Sequence, residues 1–177
     1  MNPGVAGLAL SVLCGAAFAD EQLQSRKLLE GKVTILVPSA FKLLSDVDKR
    51  VKYPGRNAPA YVLSSVDGTV NIAFDVKQLP TKPEDLPKIE APMRQQFAGA
   101  KMNSSGIRKV NGNDLLVFDM DTPAADGTIR NLMVMTSLEG NLLVVSYNCL
   151  ISRDPGCGAL GNQLIGSIVL MPKPAAK

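Results

Sequence analysis

The sequence predicts an α+β fold, a mostly antiparallel β-sheet flanked by helices in an α/β/α sandwich. Three observations favour this class. Alternating and β-branched segments are joined by short turns of the kind that connect antiparallel strands. Two segments have apolar residues at a period of about 3.6, as amphipathic helices do. The last two strands are apolar on both faces, so a layer must cover each side of the sheet.

The first elements of the domain alternate between strand and turn. After a polar lead-in, residues 32–37 form a β-branched run that stops at Pro38, which predicts a strand. Residues 39–45 then suggest a short helical turn that places Phe41 against the core. Residues 46–52 predict one more helical turn, because a Tyr-Pro-Gly sequence follows and ends it.

A hairpin and a meander supply the rest of the sheet. The hairpin joins residues 60–66 to residues 69–78 through Asp67-Gly68, a strong turn signal. The meander consists of residues 105–110, 114–121, 128–137 and 141–149, with a longer loop at residues 122–127. Because the connections are short, the strands are expected to be antiparallel neighbours.

Two helices are predicted to cover the sheet. The first lies within residues 83–98, where Thr81 and Glu84 have the spacing of a capping box and two prolines predict a late start or a kink. Its apolar face consists of Leu86, Ile89, Met93 and Phe97. The second helix covers residues 158–170, and its apolar stripe consists of Leu160, Leu164, Ile165, Ile168 and Val169.

Residues 1–19 have the pattern of a cleavable signal peptide. This segment is uncharged and apolar, and it ends in the small-x-small sequence Ala17-Phe18-Ala19, so cleavage after Ala19 is expected. It is shorter than the roughly 20 apolar residues of a membrane-spanning helix, which favours export without a stable transmembrane anchor. Residues 20–177 then form a single domain. Because no basic residue precedes the apolar core, whether Met1 is the true start is left open.

Cys149 and Cys157 both lie in the mature chain, around a Pro-Gly turn. In an oxidising compartment, two such thiols should pair if the geometry allows. A redox site usually has the spacing Cys-x-x-Cys, and a structural metal site needs four ligands. A structural disulfide is therefore the preferred interpretation.

The order of elements resembles that of a known group of proteins. The strand Val33-Thr-Ile-Leu-Val-Pro38 is followed by Phe41, the hairpin strand Val70-Asn-Ile-Ala-Phe74, a helix, a meander and a closing helix. Over roughly residues 30–171 this layout resembles the DcrB-like and PsbP-like families. The resemblance implies an α/β/α sandwich and a non-enzymatic role. Such families include exported bacterial proteins, photosystem accessory subunits and adaptors of secretion systems.

The composition removes most catalytic chemistry. The chain has no histidine, which excludes Ser-His-Asp and Cys-His catalysis. Ser39 and Lys42 have the Ser-x-x-Lys spacing of penicillin-recognising enzymes, but the Ser-Asp-Asn and Lys-Thr-Gly elements of those enzymes are missing. No glycine-rich phosphate loop follows a strand. The sequence therefore predicts no catalytic residue, no enzyme activity and no cofactor.

Three acidic residues, Asp119, Asp121 and Asp126, cluster around a predicted loop and could offer oxygen ligands to calcium. Their spacing lacks the regular ligand series and the terminal glutamate of an EF-hand. Solvated turn carboxylates are the default interpretation, so no metal site is predicted, and calcium binding is left as an open alternative.

The excess positive charge is concentrated near the start of the domain. Residues 20–56 hold eight Lys and Arg against five Asp and Glu, whereas the rest of the domain is balanced. The candidate interaction surface consists of Lys49, Arg50, Lys52, Tyr53 and Arg56. It could meet an acidic protein face, with the tyrosine as an aromatic anchor, or it could be a solvated turn.

Export and the absence of catalytic groups predict a non-enzymatic periplasmic protein-interaction module. It would be either an envelope accessory factor or an immunity protein that neutralises a toxin, and its partner would be another envelope protein. Nucleic acid is not expected, because only 5% of the residues are aromatic and the net charge is only +3. The alternative is a small-ligand or lipid-binding periplasmic protein that holds an apolar molecule near Met93, Met133 and Met135.

Overall fold

The computed structural model describes residues 22–55, 58–152, 154 and 156–171. The expected signal peptide, residues 1–19, and Arg56 of the candidate interaction surface lie outside this described part. Within it, antiparallel strands and three helices confirm the α+β class. No helix of the described ranges has the length and apolar character needed to cross a bilayer.

Strands are the main secondary structure of the described residues. They are β1 (Leu23–Leu28), β2 (Val33–Pro38), β3 (Lys42–Leu43), β4 (Tyr61–Ser64), β5 (Val70–Pro80), β6 (Lys101–Val110), β7 (Asn113–Ala124), β8 (Gly127–Leu138), β9 (Asn141–Leu150) and β10 (Val169–Leu170). The helices are α1 (Asp46–Lys52), α2 (Leu86–Gln96) and α3 (Cys157–Gly166), and a 3₁₀ turn, Pro83–Asp85, precedes α2.

Seven strands form the large sheet, in the order β3-β4-β5-β9-β8-β7-β6, and every neighbouring pair is antiparallel. The predicted hairpin and meander are confirmed. The prediction of a longer loop at residues 122–127 is wrong, because β7 and β8 remain paired up to a tight turn between Ala124 and Gly127. The positive φ of Gly127, 140°, lets the chain reverse there.

Helix α2 covers one face of the large sheet, mainly over β6 and β7. Its predicted apolar face is confirmed: Leu86 is fully buried, and the Phe97 ring meets the Phe118 ring edge to face with centroids 5.6 Å apart. The late start is also confirmed. The expected capping box is displaced by one residue, because the Asp85 carboxylate accepts a hydrogen bond from the Lys82 N–H at 3.2 Å.

Helix α3 and a second, three-stranded sheet of order β1-β2-β10 cover the other face. The largest apolar core lies between these layers. Tyr147 is fully buried in it, and its hydroxyl donates a hydrogen bond to the Cys157 carbonyl at 2.6 Å. Gly161 lets α3 approach closely, because a Cβ at that position would lie 2.6 Å from the Tyr147 ring.

The small sheet was not expected from the sequence. Its edge strand β1 lies in the segment interpreted as a polar lead-in, and it pairs with β2 along its full length. The predicted helix at residues 158–170 is too long. It ends at Gly166, and the β-branched Val169 begins β10, which pairs with β2.

The helical turn expected at residues 39–45 is also wrong. Pro38 ends β2, and the Phe41 N–H donates a hydrogen bond to the Pro38 carbonyl at 3.0 Å. Phe41 is buried as predicted, but Lys42 and Leu43 then pair with β4 as the edge strand β3. Pairing to an open sheet edge supplies backbone hydrogen bonds that two residues in a helical turn would lack.

Candidate functional site

Helix α1 directs its valines toward solvent. Val47 and Val51 are four residues apart, which places them on one face of the helix, and they are 61% and 79% exposed. Ser45 begins the helix by accepting a hydrogen bond from the Asp48 N–H. Leu43, on the preceding edge strand, is also 56% exposed. These apolar side chains, Leu43, Val47 and Val51, are exposed in the described part of the chain.

The lysines of α1 face the protein instead. The Lys49 ammonium donates to the Ala60 carbonyl at 2.8 Å and pairs with Asp46 at 2.9 Å. The Lys52 ammonium donates to the Gly68 carbonyl at 2.7 Å. Burial lowers the pKa of Lys52, and Asp67 opposes this shift through its negative charge. Both lysines therefore attach α1 to the segment around β4.

The other described members of the candidate interaction surface have different environments. Arg50 is exposed on α1. Tyr53 is half-buried, and burial raises the pKa of its hydroxyl, an effect that the nearby Asn148 amide opposes. The structure thus separates the described part of the predicted surface into an arginine at the solvent, two lysines bound to backbone carbonyls and one aromatic side chain at the sheet.

Tyr53 stands at the edge of a cleft whose floor is a row of three asparagines. Asn71 on β5 pairs directly with Asn148 on β9, and Asn148 pairs with Asn131 on β8. The row lies on the same face of the sheet as α2, but beyond the strands β6 and β7 that α2 mainly covers. These three residues are called the asparagine row below.

The cleft has a volume of about 490 Å³, within the usual range for small-ligand pockets. Lys52 and Tyr53 line it from the end of α1, Asp67 from the β4–β5 turn, and Asp126 from the β7–β8 turn. Ser65 and Thr69 donate hydrogen bonds to the Asp67 carboxylate, and these bonds lower the pKa of Asp67.

One acceptor in the floor has no partner. Asn71 is only 5% exposed, and its Nδ2 donates to the Gly68 carbonyl at 3.1 Å. Its Oδ1 is buried and accepts no hydrogen bond from any residue that the structure describes. Buried side-chain oxygens are nearly always paired in folded proteins, so this atom needs a donor from outside the described part of the chain.

The acidic residues do not form a calcium site. Asp119 and Asp121 lie within β7 rather than in a solvated loop, and Arg130 of β8 binds both. The guanidinium lies 2.6 Å from Asp119 and 3.3 Å from Asp121, and Asp119 raises its pKa. Asp126 lies in the turn at the cleft. Among the described residues no group of three acidic or cysteine side chains is arranged to hold a metal ion.

Cys149 and Cys157 are joined by a disulfide bond, with Cα atoms 6.1 Å apart. The bond connects the end of β9 to the first residue of α3, and both cysteines are buried. Ser39 lies in an exposed turn and Lys42 on the exposed edge strand β3, so the Ser-x-x-Lys spacing brings no enclosed pair together.

The sequence interpretation missed the asparagine row. Part of its signal was present: Asn131 begins, and Asn148 directly follows, the two apolar segments that the sequence predicts to be covered on both faces. What the sequence does not contain is the register that places the three side chains side by side.

Neither a protein-family model nor a curated protein sequence matches the chain. Solved structures do match. The cyanobacterial PsbP of Synechocystis sp. PCC 6803 aligns with 89% of this chain and 97% of its own length, at a TM-score of 0.59 and 13% identity.

Two further matches share the fold at similar distance. The Ran-binding protein Mog1p of Saccharomyces cerevisiae covers 85% of this chain and 96% of its own, with a TM-score of 0.53 and 11% identity. LpqN of Mycobacterium tuberculosis, involved in cell envelope biogenesis, covers 86% and 92%, with a TM-score of 0.53 and 11% identity. At these identities the matches establish architecture alone. The resemblance to PsbP-like proteins predicted from the order of elements is confirmed at the level of fold, and the chain has a PsbP-like α+β fold.

Proposed function

We propose that this chain is a non-enzymatic periplasmic protein-interaction module, exported with cleavage after Ala19, that binds another protein of the cell envelope. Its biological role would be that of an envelope accessory factor or of an immunity protein that neutralises a toxin. The observation that carries the proposal is the orientation of α1, which exposes Val47 and Val51 while its lysines bind backbone carbonyls.

An exposed apolar helix face of this kind is costly to leave in water. Val47, Val51 and Leu43 lie within nine positions of the chain, and each has more than half of its surface exposed. Exposed apolar patches rimmed by polar groups are typical of protein-binding sites, and Val47 and Val51 share one exposed face of α1. When a partner covers these side chains, removing their apolar surface from water favours binding by roughly 25 cal/mol for each Å² buried.

Charge adds a preference about the partner. Arg50 is exposed beside the valines, and the excess of basic residues lies within residues 20–56. A complementary surface would therefore combine apolar side chains with carboxylates. Electrostatic complementarity of this sort raises association rates and gives specificity.

The structural matches support a binding role without naming a partner. Mog1p is described as Ran-binding, and LpqN as involved in cell envelope biogenesis. These properties belong to those proteins. They support the proposal only because they place the same fold in protein binding and in the envelope.

The test compares capture of envelope proteins by the full chain and by two variants. Val47→Ser with Val51→Ser removes the apolar face of α1, and Leu79→Ser removes another exposed apolar side chain, 52% exposed, at the end of β5. We expect a partner that cross-links to the full chain and to the Leu79 variant but is lost from the α1 variant. Equal capture by all three proteins, or none at several salt concentrations, would contradict the proposal.

The alternative of an apolar ligand beside the methionines has less support. Met135 is buried, and Met93 and Met133 pack against the same cluster between α2 and the sheet. These side chains fill that space as core residues. The polar cleft instead favours a polar ligand.

A further inference from the structure

We propose that the cleft above the asparagine row is a second binding site, which takes a neutral small molecule rich in hydroxyl or amide N–H groups. This inference does not depend on the exposed valines of α1, Val47 and Val51. It rests on a cleft whose floor is formed by strands β5, β9 and β8. The observation that starts it is the buried, unpartnered Oδ1 of Asn71.

Three polar side chains in one row are unusual for strands this deeply placed. Asn71 is 5% exposed, Asn131 and Asn148 are half-buried, and the residues that flank Asn71 and Asn148 in their strands are buried and apolar. An amide buried without its hydrogen bonds is destabilising, so the row carries a cost unless an external group satisfies it. The cleft is large enough to admit that group, because about 490 Å³ lies above the floor.

The chemistry of the floor indicates a ligand that donates hydrogen bonds. Asn71 Oδ1, the floor atom that is buried without a partner among the described residues, is an acceptor, since the Asn71 Nδ2 already donates to Gly68. Asn131 uses its own Nδ2 on the Thr122 hydroxyl at 2.7 Å and on the Ile129 carbonyl at 3.1 Å. Because the Nδ2 atoms of Asn71 and Asn131 donate hydrogen bonds within the protein, the Oδ1 atoms of these two side chains are the groups left to accept a hydrogen bond from a ligand.

The charges around the floor favour a neutral ligand. The asparagines themselves are uncharged, and a desolvated ion needs a counter-charge that they cannot supply. The charged groups lie at the rim, where the Lys52 ammonium is held by the Gly68 carbonyl and interacts with Asp67. Asp126 is exposed to solvent at the opposite side of the opening. Tyr53 adds an apolar ring beside the amides, as many polar-ligand pockets do.

The test uses four sugars of one scaffold that differ in charge. N-acetylglucosamine and glucose are neutral, glucosamine is cationic and glucuronate is anionic. Each is titrated into the full chain while the side-chain amide signals of Asn71, Asn131 and Asn148 are followed by NMR. We expect the neutral sugars to shift these signals in a saturable way and the charged ones to bind at least tenfold more weakly. Stronger binding of N-acetylglucosamine than of glucose would identify the amide as the recognised group, and equal binding would identify the hydroxyls.

A pair of variants links binding to the row. Asn71→Leu keeps the volume but removes the acceptor, and Asn162→Leu changes an exposed asparagine on α3, across the sheet. Asn71→Leu should weaken binding about tenfold or more, with an unchanged or higher urea midpoint, whereas Asn162→Leu should bind normally. Absence of shifts with both neutral sugars would mean that the acceptor is satisfied by ordered water alone and would overturn the proposal. Preferential binding of a charged sugar would overturn it too.

Discussion

Two neighbouring rungs of the large sheet face opposite layers and have opposite chemistry. The apolar rung consists of Ile72, Tyr147 and Leu132 on β5, β9 and β8, and all three are buried toward α3. The asparagine row is one residue away on each of the same strands and faces the cleft. Because successive side chains of a strand point to opposite faces, a single step along the chain changes apolar core into polar floor.

The difference separates the part of the sheet that stabilises the fold from the part that is available for binding. The apolar rung is packed against α3, with Gly161 allowing close contact with the Tyr147 ring. The asparagine row has open space above it and one unsatisfied acceptor. Departures from local packing rules are expected where a protein binds something. Four experiments test this division.

The largest effect is expected from exchanging chemistry between the two rungs. Ile72→Asn would bury an unpaired amide in the apolar core and should lower the free energy of unfolding by about 3–5 kcal/mol. Asn71→Leu, the adjacent position, should change it by no more than about 1 kcal/mol. Urea unfolding of both variants measures this, and a similar loss in both would mean that the two faces are equally important for stability.

Removal of the disulfide is expected to have the second largest effect. Replacing Cys149 and Cys157 by alanine removes a bond that closes a loop of eight residues' separation. The chain-entropy relation for a loop of this length gives a loss of about 2–3 kcal/mol. Comparing the double variant with the oxidised and the reduced wild type in urea provides the control. An unchanged unfolding midpoint would show that α3 is held to β9 by packing alone.

Gly161→Ala tests how closely α3 packs on the apolar rung. The added methyl would lie 2.6 Å from the Tyr147 ring and 2.8 Å from Leu132, so the helix must shift. Overpacking of this kind costs about 1–3 kcal/mol, partly offset by the better helix propensity of alanine. Gly158→Ala in the same helix meets no atom within 4 Å and should cause no loss. Equal melting temperatures for the two variants would count against the close packing.

The smallest effect concerns pH at the edge of the cleft. Hydrogen bonds from Ser65 and Thr69 lower the pKa of Asp67 below its unfolded value, so its stabilising contribution is present above that value and is lost as the pH falls through the lowered pKa. Because Asp67 is exposed, Asp67→Asn should cost roughly 0.5 kcal/mol or less near neutral pH. The difference from wild type should vanish once the pH lies below the lowered pKa of Asp67. A difference that persists in acid would have another cause.

Much of the fold followed from the sequence because its signals are local. Turn residues such as Asp67-Gly68 and the 3.6-residue period of α2 act over a few positions, and those elements are confirmed. β1 and β10 were missed because each is stabilised by pairing with β2 and not by its own pattern. Pairing partners are tertiary information.

The candidate sites were harder to predict for the same reason. Val47 and Val51 have the spacing of a core-facing helix, yet they face solvent because Lys49 and Lys52 find carbonyl acceptors on the protein side. The members of the asparagine row come from three strands, and only the register of β9 between β5 and β8 makes them neighbours. Composition and motif spacing do not contain that register.

The alternation of Tyr147 and Asn148 also restricts how the sheet can misassemble. If β9 slipped by one residue against its neighbours, every side chain would change face, so that Asn148 would enter the apolar core and Tyr147 would enter water. A slip by two residues would keep the faces but place Asn148 beside Ala73 instead of Asn71. The misaligned sheets would therefore lack either the buried tyrosine or the cross-strand amide neighbours. The same three asparagines that leave the cleft polar thus help to select one strand alignment during folding.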